Sequence, residues 1–172
     1  MEAWVRGEVE KEEAMTEDRT STDRTGPWVV MATFCEKLLT ETDGVVTPIR
    51  PIDRIIHTVQ VVPNQPLAPV QIQLPLMIVL KADRAVGSQM LELRPEKPSG
   101  VKMAPQSFSI LMEGADRGSA LVINPLTLQT DEEGLYWFDV RYAGELLTRI
   151  PLRLVLQRIQ TMGPSVPSSQ RP

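Results

Sequence analysis

Cysteine and histidine are nearly missing from this chain, which has one of each among 172 residues. A lone thiol, Cys35, excludes an internal disulfide framework, and with only His57 beside it the chain cannot assemble a zinc site from Cys and His alone. Aromatic residues are few, at 5%. Hydrophobic runs are short: a stretch such as Leu76 to Leu80 is far below the ~20 residues that a membrane-spanning helix needs. No basic region leads into an apolar run of the kind that directs secretion, so a cytoplasmic location and no membrane partner are expected. A Gly-rich phosphate loop and a Ser nucleophile elbow are also absent; Gly87, Gly100, Gly114 and Gly118 are scattered and read as turn residues.

Charge is unevenly divided. Residues 1–26 hold eight acidic and four basic side chains, so the whole formal charge of -4 sits there, while the other 14 acids and 14 bases cancel. A neutral body with interspersed signs lacks the basic stripe that displaces counterions from a nucleic acid, so no nucleic-acid partner is expected.

What the chain has is proline, 15 residues of it, which argues against long helices. Residues 1–26 are polar and short of apolar periodicity and read as a disordered acidic tail, with Met31 as an alternative natural start. Residues 163–172 contain three Pro and three Ser and read as a second disordered tail. One domain is expected over residues 27–162. Its apolar residues come in short runs, namely Trp28 to Leu38, Val45 to Ile49, Ile52 to Val61, Val70 to Leu80, Gln89 to Leu93, Ser107 to Met112, Ala120 to Leu128, Leu135 to Tyr142 and Leu146 to Leu156. Breakers such as Pro63-Asn64-Gln65-Pro66 and Glu113 to Gly118 divide them, and this spacing predicts an all-β sandwich. The one helical alternative in the body is Phe34 to Thr42.

The last hairpin is the most sharply patterned. Tyr136, Phe138, Val140 and Tyr142 alternate with polar residues and Trp137, as Ile150, Leu152, Leu154 and Leu156 alternate with Arg149, Pro151, Arg153 and Val155. Opposing apolar to apolar pairs Tyr136 with Leu152, Phe138 with Ile150 and Asp139 with Arg149, which predicts a three-residue loop over Ala143-Gly144-Glu145. Pro151 lacks an N–H and predicts a local edge or a bulge.

The segment Glu132-Glu133-Gly134-Leu135-Tyr136-Trp137-Phe138 resembles the tyrosine corner of immunoglobulin-like sandwiches, which implies that the Tyr136 hydroxyl bonds back to upstream backbone. More broadly, Cys35-Glu36, Asp43-Gly44, Ile52-Asp53-Arg54-Ile55 and the Gly134 to Phe138 hairpin resemble a family of small uncharacterised bacterial proteins with no assigned activity. The resemblance implies a single antiparallel immunoglobulin-like β-sandwich of about seven to nine strands.

Chemistry-bearing residues are sparse. His57 lies mid-strand with Asp53 four residues away, too far along an extended backbone to orient it, and reads as a half-buried structural residue. Cys35 reads as a buried, inert thiol. Asp131, Glu132 and Glu133 are consecutive, so their side chains diverge, and the run reads as a solvated turn and not as a calcium loop. No catalytic residue, metal or cofactor is expected. The candidate site is the outward face of the last hairpin, where Leu135, Trp137, Pro151 and Val155 interleave with Arg141, Arg149 and Arg153. A non-enzymatic interaction or assembly module follows, acting on a protein partner or by self-association. The alternatives are a ligand-binding or enzymatic domain built from loops such as Pro63 to Pro69 and Arg94 to Pro105, or a structural subunit of a larger particle.

Overall fold

A computed structural model describes residues 26–61 and 67–160. The tails expected at residues 1–26 and 163–172 lie outside them, apart from Gly26, as does most of the Pro63 to Pro69 connection. The described residues are all-β, with seven strands: β1 (Trp28–Thr40), β2 (Val46–Ile52), β3 (Arg54–Val61), β4 (Val70–Glu96), β5 (Gln106–Thr130), β6 (Gly134–Tyr142) and β7 (Glu145–Gln160). Phe34 to Thr40, the start of the helical alternative, belongs to β1.

Two very long strands organise the molecule. β4 and β5 form one hairpin that pairs from Val70↔Thr130 to Leu93↔Gln106. The sequence reads as four separate strands here, because Glu113 to Gly118 carries glycine and charge. Those residues bend the ladder without ending it. Asp83, Gly87, Gly114 and Ala115 all adopt positive φ, and the register shifts on either side of Asp83. Each bulge changes the alternation by one residue. Inward positions on β4 therefore run through Leu76, Ile78, Leu80 and Ala82 before the bend and through Leu91 and Leu93 after it, so both halves keep an apolar side on the core.

Both remaining groups of strands add to the same side of β4. β1 pairs with its first half, from Trp28↔Lys81 to Phe34↔Leu76, and carries β2 beyond it. β6 pairs with its second half, from Leu91↔Tyr142 to Glu96↔Trp137, followed by β7 and β3. One layer reads β2-β1-β4-β5 and the other β5-β4-β6-β7-β3, folded over a single core. Phe34 of one layer meets Phe138 of the other with ring centroids 4.9 Å apart at 67°. An edge-to-face pair of this kind contributes about 0.5–1.5 kcal/mol beyond its buried area. The β3–β7 pair is parallel, the one departure from an antiparallel sandwich among the described ladders.

The last hairpin has the expected rungs Tyr136↔Leu152, Phe138↔Ile150 and Asp139↔Arg149, but the three-residue loop is corrected. Tyr142 pairs with Glu145 across two residues, Ala143 (φ 48°) and Gly144 (φ 84°). Two successive left-handed residues make the turn whose twist matches the strands. The odd residue that the hydrophobic pattern demands enters as a bulge instead: Val140 pairs with Thr148 and Arg141 with Leu146, leaving Leu147 without an opposite number. Pro151 lies on a local edge, since β3 joins β7 only from Arg153 onward.

At the start of β6, the Tyr136 hydroxyl donates to the Glu132 carbonyl (2.7 Å) and accepts from Thr130 Oγ1 at 2.5 Å, while Thr130 Oγ1 accepts from the Glu132 N–H at 3.2 Å. Three polar groups in and around the core thus satisfy one another. Gly134 (φ 138°) passes so close to Pro98 that a Cβ would come within 2.8 Å of the proline ring.

Candidate interaction face

Inward alternation on β6 and β7 forces the other residues outward. Leu135 lies on the rung of Arg153, Trp137 on that of Pro151, Asp139 on that of Arg149, and Val155 beyond them. All seven residues proposed from the sequence therefore occupy one surface, but in two different states.

Arg149 and Arg141 are held by the protein itself. Asp139 is only 5% exposed, yet it faces outward. Arg149 Nε donates to Asp139 Oδ1 at 2.6 Å and its terminal nitrogen to Glu96 Oε2 at 2.5 Å. Lys102 pairs with Glu96 and lies 3.5 Å from Asp139. This square of two cations and two carboxylates fastens the 97–105 turn onto the hairpin. The Asp139 hydrogen bond raises the Arg149 pKa, and the Lys102 hydrogen bond holds Glu96 below its ordinary value. Arg149 also stacks on Trp137, 5.1 Å from the ring centroid. Arg141 donates to the Gly144 carbonyl at 2.6 Å, which braces the tight turn.

Leu135, Trp137, Pro151, Arg153 and Val155 remain outward with no such commitment of charge. β3 extends their surface: Arg54 shares a rung with Arg153, and Ile56, 62% exposed, shares one with Val155. Neither Arg54 nor Arg153 has a carboxylate partner among the described residues. The sequence reading missed Arg54 and Ile56 because a parallel partner about a hundred positions away leaves no local trace. Their alternation with the half-buried Ile55 is the signal that marks them as outward.

The other candidates lie elsewhere. His57 is half-buried on the inward side of β3, on the rung of Leu156. Cys35 is buried near the Pro75 carbonyl (3.9 Å), and burial pushes its thiol above the ordinary value. The acidic run is neutralised by chain partners: Lys97 lies 3.1 Å from Asp131 and 3.0 Å from Glu132, and Arg158 lies 3.4 Å from Glu133. Among the described residues no cluster of metal-ligating side chains occurs, and no helix is long and apolar enough to cross a membrane. The Arg94 to Pro105 segment closes on itself, with the Met103 N–H bonded to the Pro95 carbonyl at 2.8 Å. A cavity of about 570 Å³ lies instead between residues 26–32 and 142–148.

No protein-family model matches this chain, and no curated protein does. Among solved structures, an immunoglobulin-like protein from Pseudomonas aeruginosa is similar at 11% identity, over 74% of this chain and 95% of that one, with a TM-score of 0.36.

Proposed function

We propose that this chain is a non-enzymatic protein-interaction module that binds through the outward face of β6, β7 and β3. The observation that carries the reading is the Arg54–Arg153 rung. Like charges placed side by side on a sheet destabilise it by a few tenths to about 1 kcal/mol, and here they are bordered by the exposed side chains of Ile56 and Val155 and by Leu135 and Trp137. A partner offering carboxylates around an apolar centre relieves the repulsion and covers the apolar surface in one step. The proposal includes a cytoplasmic setting, where an unpaired thiol such as Cys35 is ordinary.

The test is affinity purification of the full chain from cells, wild type beside the Arg54→Glu/Arg153→Glu double variant, with mass spectrometry of what co-purifies. Loss of a specific partner in the variant, with the melting temperature kept, supports the reading. An unchanged set of partners, or none with either protein, contradicts it.

A further inference from the structure

We infer that the gap between the start of β1 and the start of β7 is a receptor for an extended peptide, which it takes in by adding a strand. On its side away from β4, β1 is paired with β2 only from Phe34 to Thr40, so residues 28–33 have an edge with no partner strand among the described residues. On its side away from β6, β7 is paired with β3 only from Arg153 to Gln160, so residues 145–152 have an edge unpartnered among the described residues as well. The two gaps share a boundary at Asp53: Ile52 is the last partner of β1, Arg54 is the first partner of β7, and the Arg153 N–H bonds the Asp53 carbonyl at 2.7 Å. From that corner both open edges lead to the 570 Å³ cavity.

The composition of the cavity wall identifies the ligand class. Along a strand, successive side chains point to opposite faces, so a cavity lined by one face shows every second residue. This cavity is lined by residues 26–32 without a gap and by residues 145–148 without a gap. Consecutive lining fits strand edges in the wall, Trp28 to Ala32 of β1 and Glu145 to Thr148 of β7, each interrupted by one bulge, between Val29 and Met31 on β1 and at Leu147 on β7. The five β1 residues of the wall, Trp28 to Ala32, span ~16 Å, enough for a strand of about five residues. The ligand that satisfies such a wall is another extended backbone.

Side chains at the rim narrow the choice. Trp28, Val30 and Leu146 are exposed apolar residues of the lining, and Glu145 is its one charged residue. The preferred occupant is therefore a segment of a separate polypeptide that alternates apolar and small polar residues and carries Lys or Arg at the end next to Glu145. The chain's own residues 1–25 hold eight acids against four bases, a net charge of the same sign as Glu145. This site is distinct from the outward β6–β7–β3 face, and the two stand independently.

The test uses the full chain and the capped peptide Lys-Val-Thr-Val-Thr-Val, with an analogue in which both threonines are proline and one in which lysine is glutamate. Amide hydrogen exchange is read at Trp28 to Ala32 and at Glu145 to Thr148. The inference predicts at least tenfold slower exchange at the gap-facing amides of both stretches with the first peptide and no slowing with the proline analogue, which lacks the N–H donors of the two threonine positions and cannot keep the ladder. Binding is at least threefold weaker for the glutamate analogue, and likewise for the first peptide on the Glu145→Lys variant. Equal protection by the proline analogue, or no protection at millimolar peptide, overturns the inference. Protection already present in the free chain at the amides of these stretches that point away from β4 and β6 also overturns it, whether it rises with protein concentration, which marks a second copy in the gap, or disappears when residues 1–25 are removed, which marks the chain's own segment there.

Discussion

Arg54 and Arg153 share one rung of the parallel β3–β7 ladder, two guanidinium side chains adjacent on an outward surface with no carboxylate partner among the described residues. A fold gains nothing from this placement. Replacing Arg54 by Glu converts a repulsive rung into an attractive one, and the variant is expected to be more stable than wild type by roughly 0.2–1 kcal/mol, read as the midpoint of urea unfolding at low salt. A midpoint that falls contradicts the electrostatic account of the rung.

Tyr136 is the hub of the corner before β6, bonded to Thr130 and to the Glu132 carbonyl. Tyr136→Phe keeps the ring in the core and deletes the hydroxyl, leaving Thr130 Oγ1, itself 2% exposed by residue, with one partner fewer. The expected loss is about 1–3 kcal/mol by chemical denaturation. A neutral substitution shows that the hydroxyl adds nothing to stability.

Ala143 occupies a left-handed position (φ 48°) in the two-residue turn between β6 and β7. An L-residue with a Cβ is strained there, whereas Asn and Gly tolerate it. Ala143→Asn is expected to stabilise the protein by about 0.5–1 kcal/mol. Destabilisation indicates a three-residue loop, in which residue 143 adopts a different conformation.

Acid and alkali act on different groups. Hydrogen bonds from Lys102, Lys97 and Ser99 hold Glu96, Asp131 and Glu132 below their ordinary values of 4.5, 3.8 and 4.5. In the unfolded chain these carboxylates take up protons at higher pH than in the folded one, so their contribution is complete above about pH 5 and is lost as pH falls through the lowered values. Burial raises Cys35 and Tyr136 above 9.0 and 10.0, so stability also declines as pH rises through that range. The melting temperature is expected to form a plateau from about pH 5 to pH 9. Glu96→Gln flattens the acid side. A melting temperature that rises on acidification from pH 5 to pH 3 contradicts this assignment.

The last hairpin was legible because apolar residues recur every second position on both strands, which fixes the rungs before any turn is known. Its turn was not, because alternation counts residues and cannot say whether the extra one sits in the loop or in a bulge at Leu147. The same limit explains the β4–β5 hairpin: glycine and charge at 113–118 mark a local irregularity, but whether a chain bends or breaks there depends on the facing strand, where Asp83 and Gly87 bend in step. Of the candidate face, Leu135, Trp137, Pro151, Arg153 and Val155 followed from the pattern. The rung of Asp139 with Arg149 followed as well, but the engagement of Arg149 by Glu96 did not, since Glu96 and Arg149 are 53 residues apart. Arg54 and Ile56 depended on a parallel pairing that no neighbouring residue announces.

The central claim is that the β6–β7–β3 face meets a protein partner, and site-specific photo-crosslinking inside cells tests it whatever that partner is. A photoreactive phenylalanine is placed singly at Ile56, at Val155 and at Gln73, an exposed position on the first half of β4 in the other layer. The account predicts a discrete higher-mass adduct from Ile56 and Val155, absent from Gln73 and abolished by Arg54→Glu/Arg153→Glu. Adducts from Gln73 alone, or none from Ile56 and Val155, contradict it.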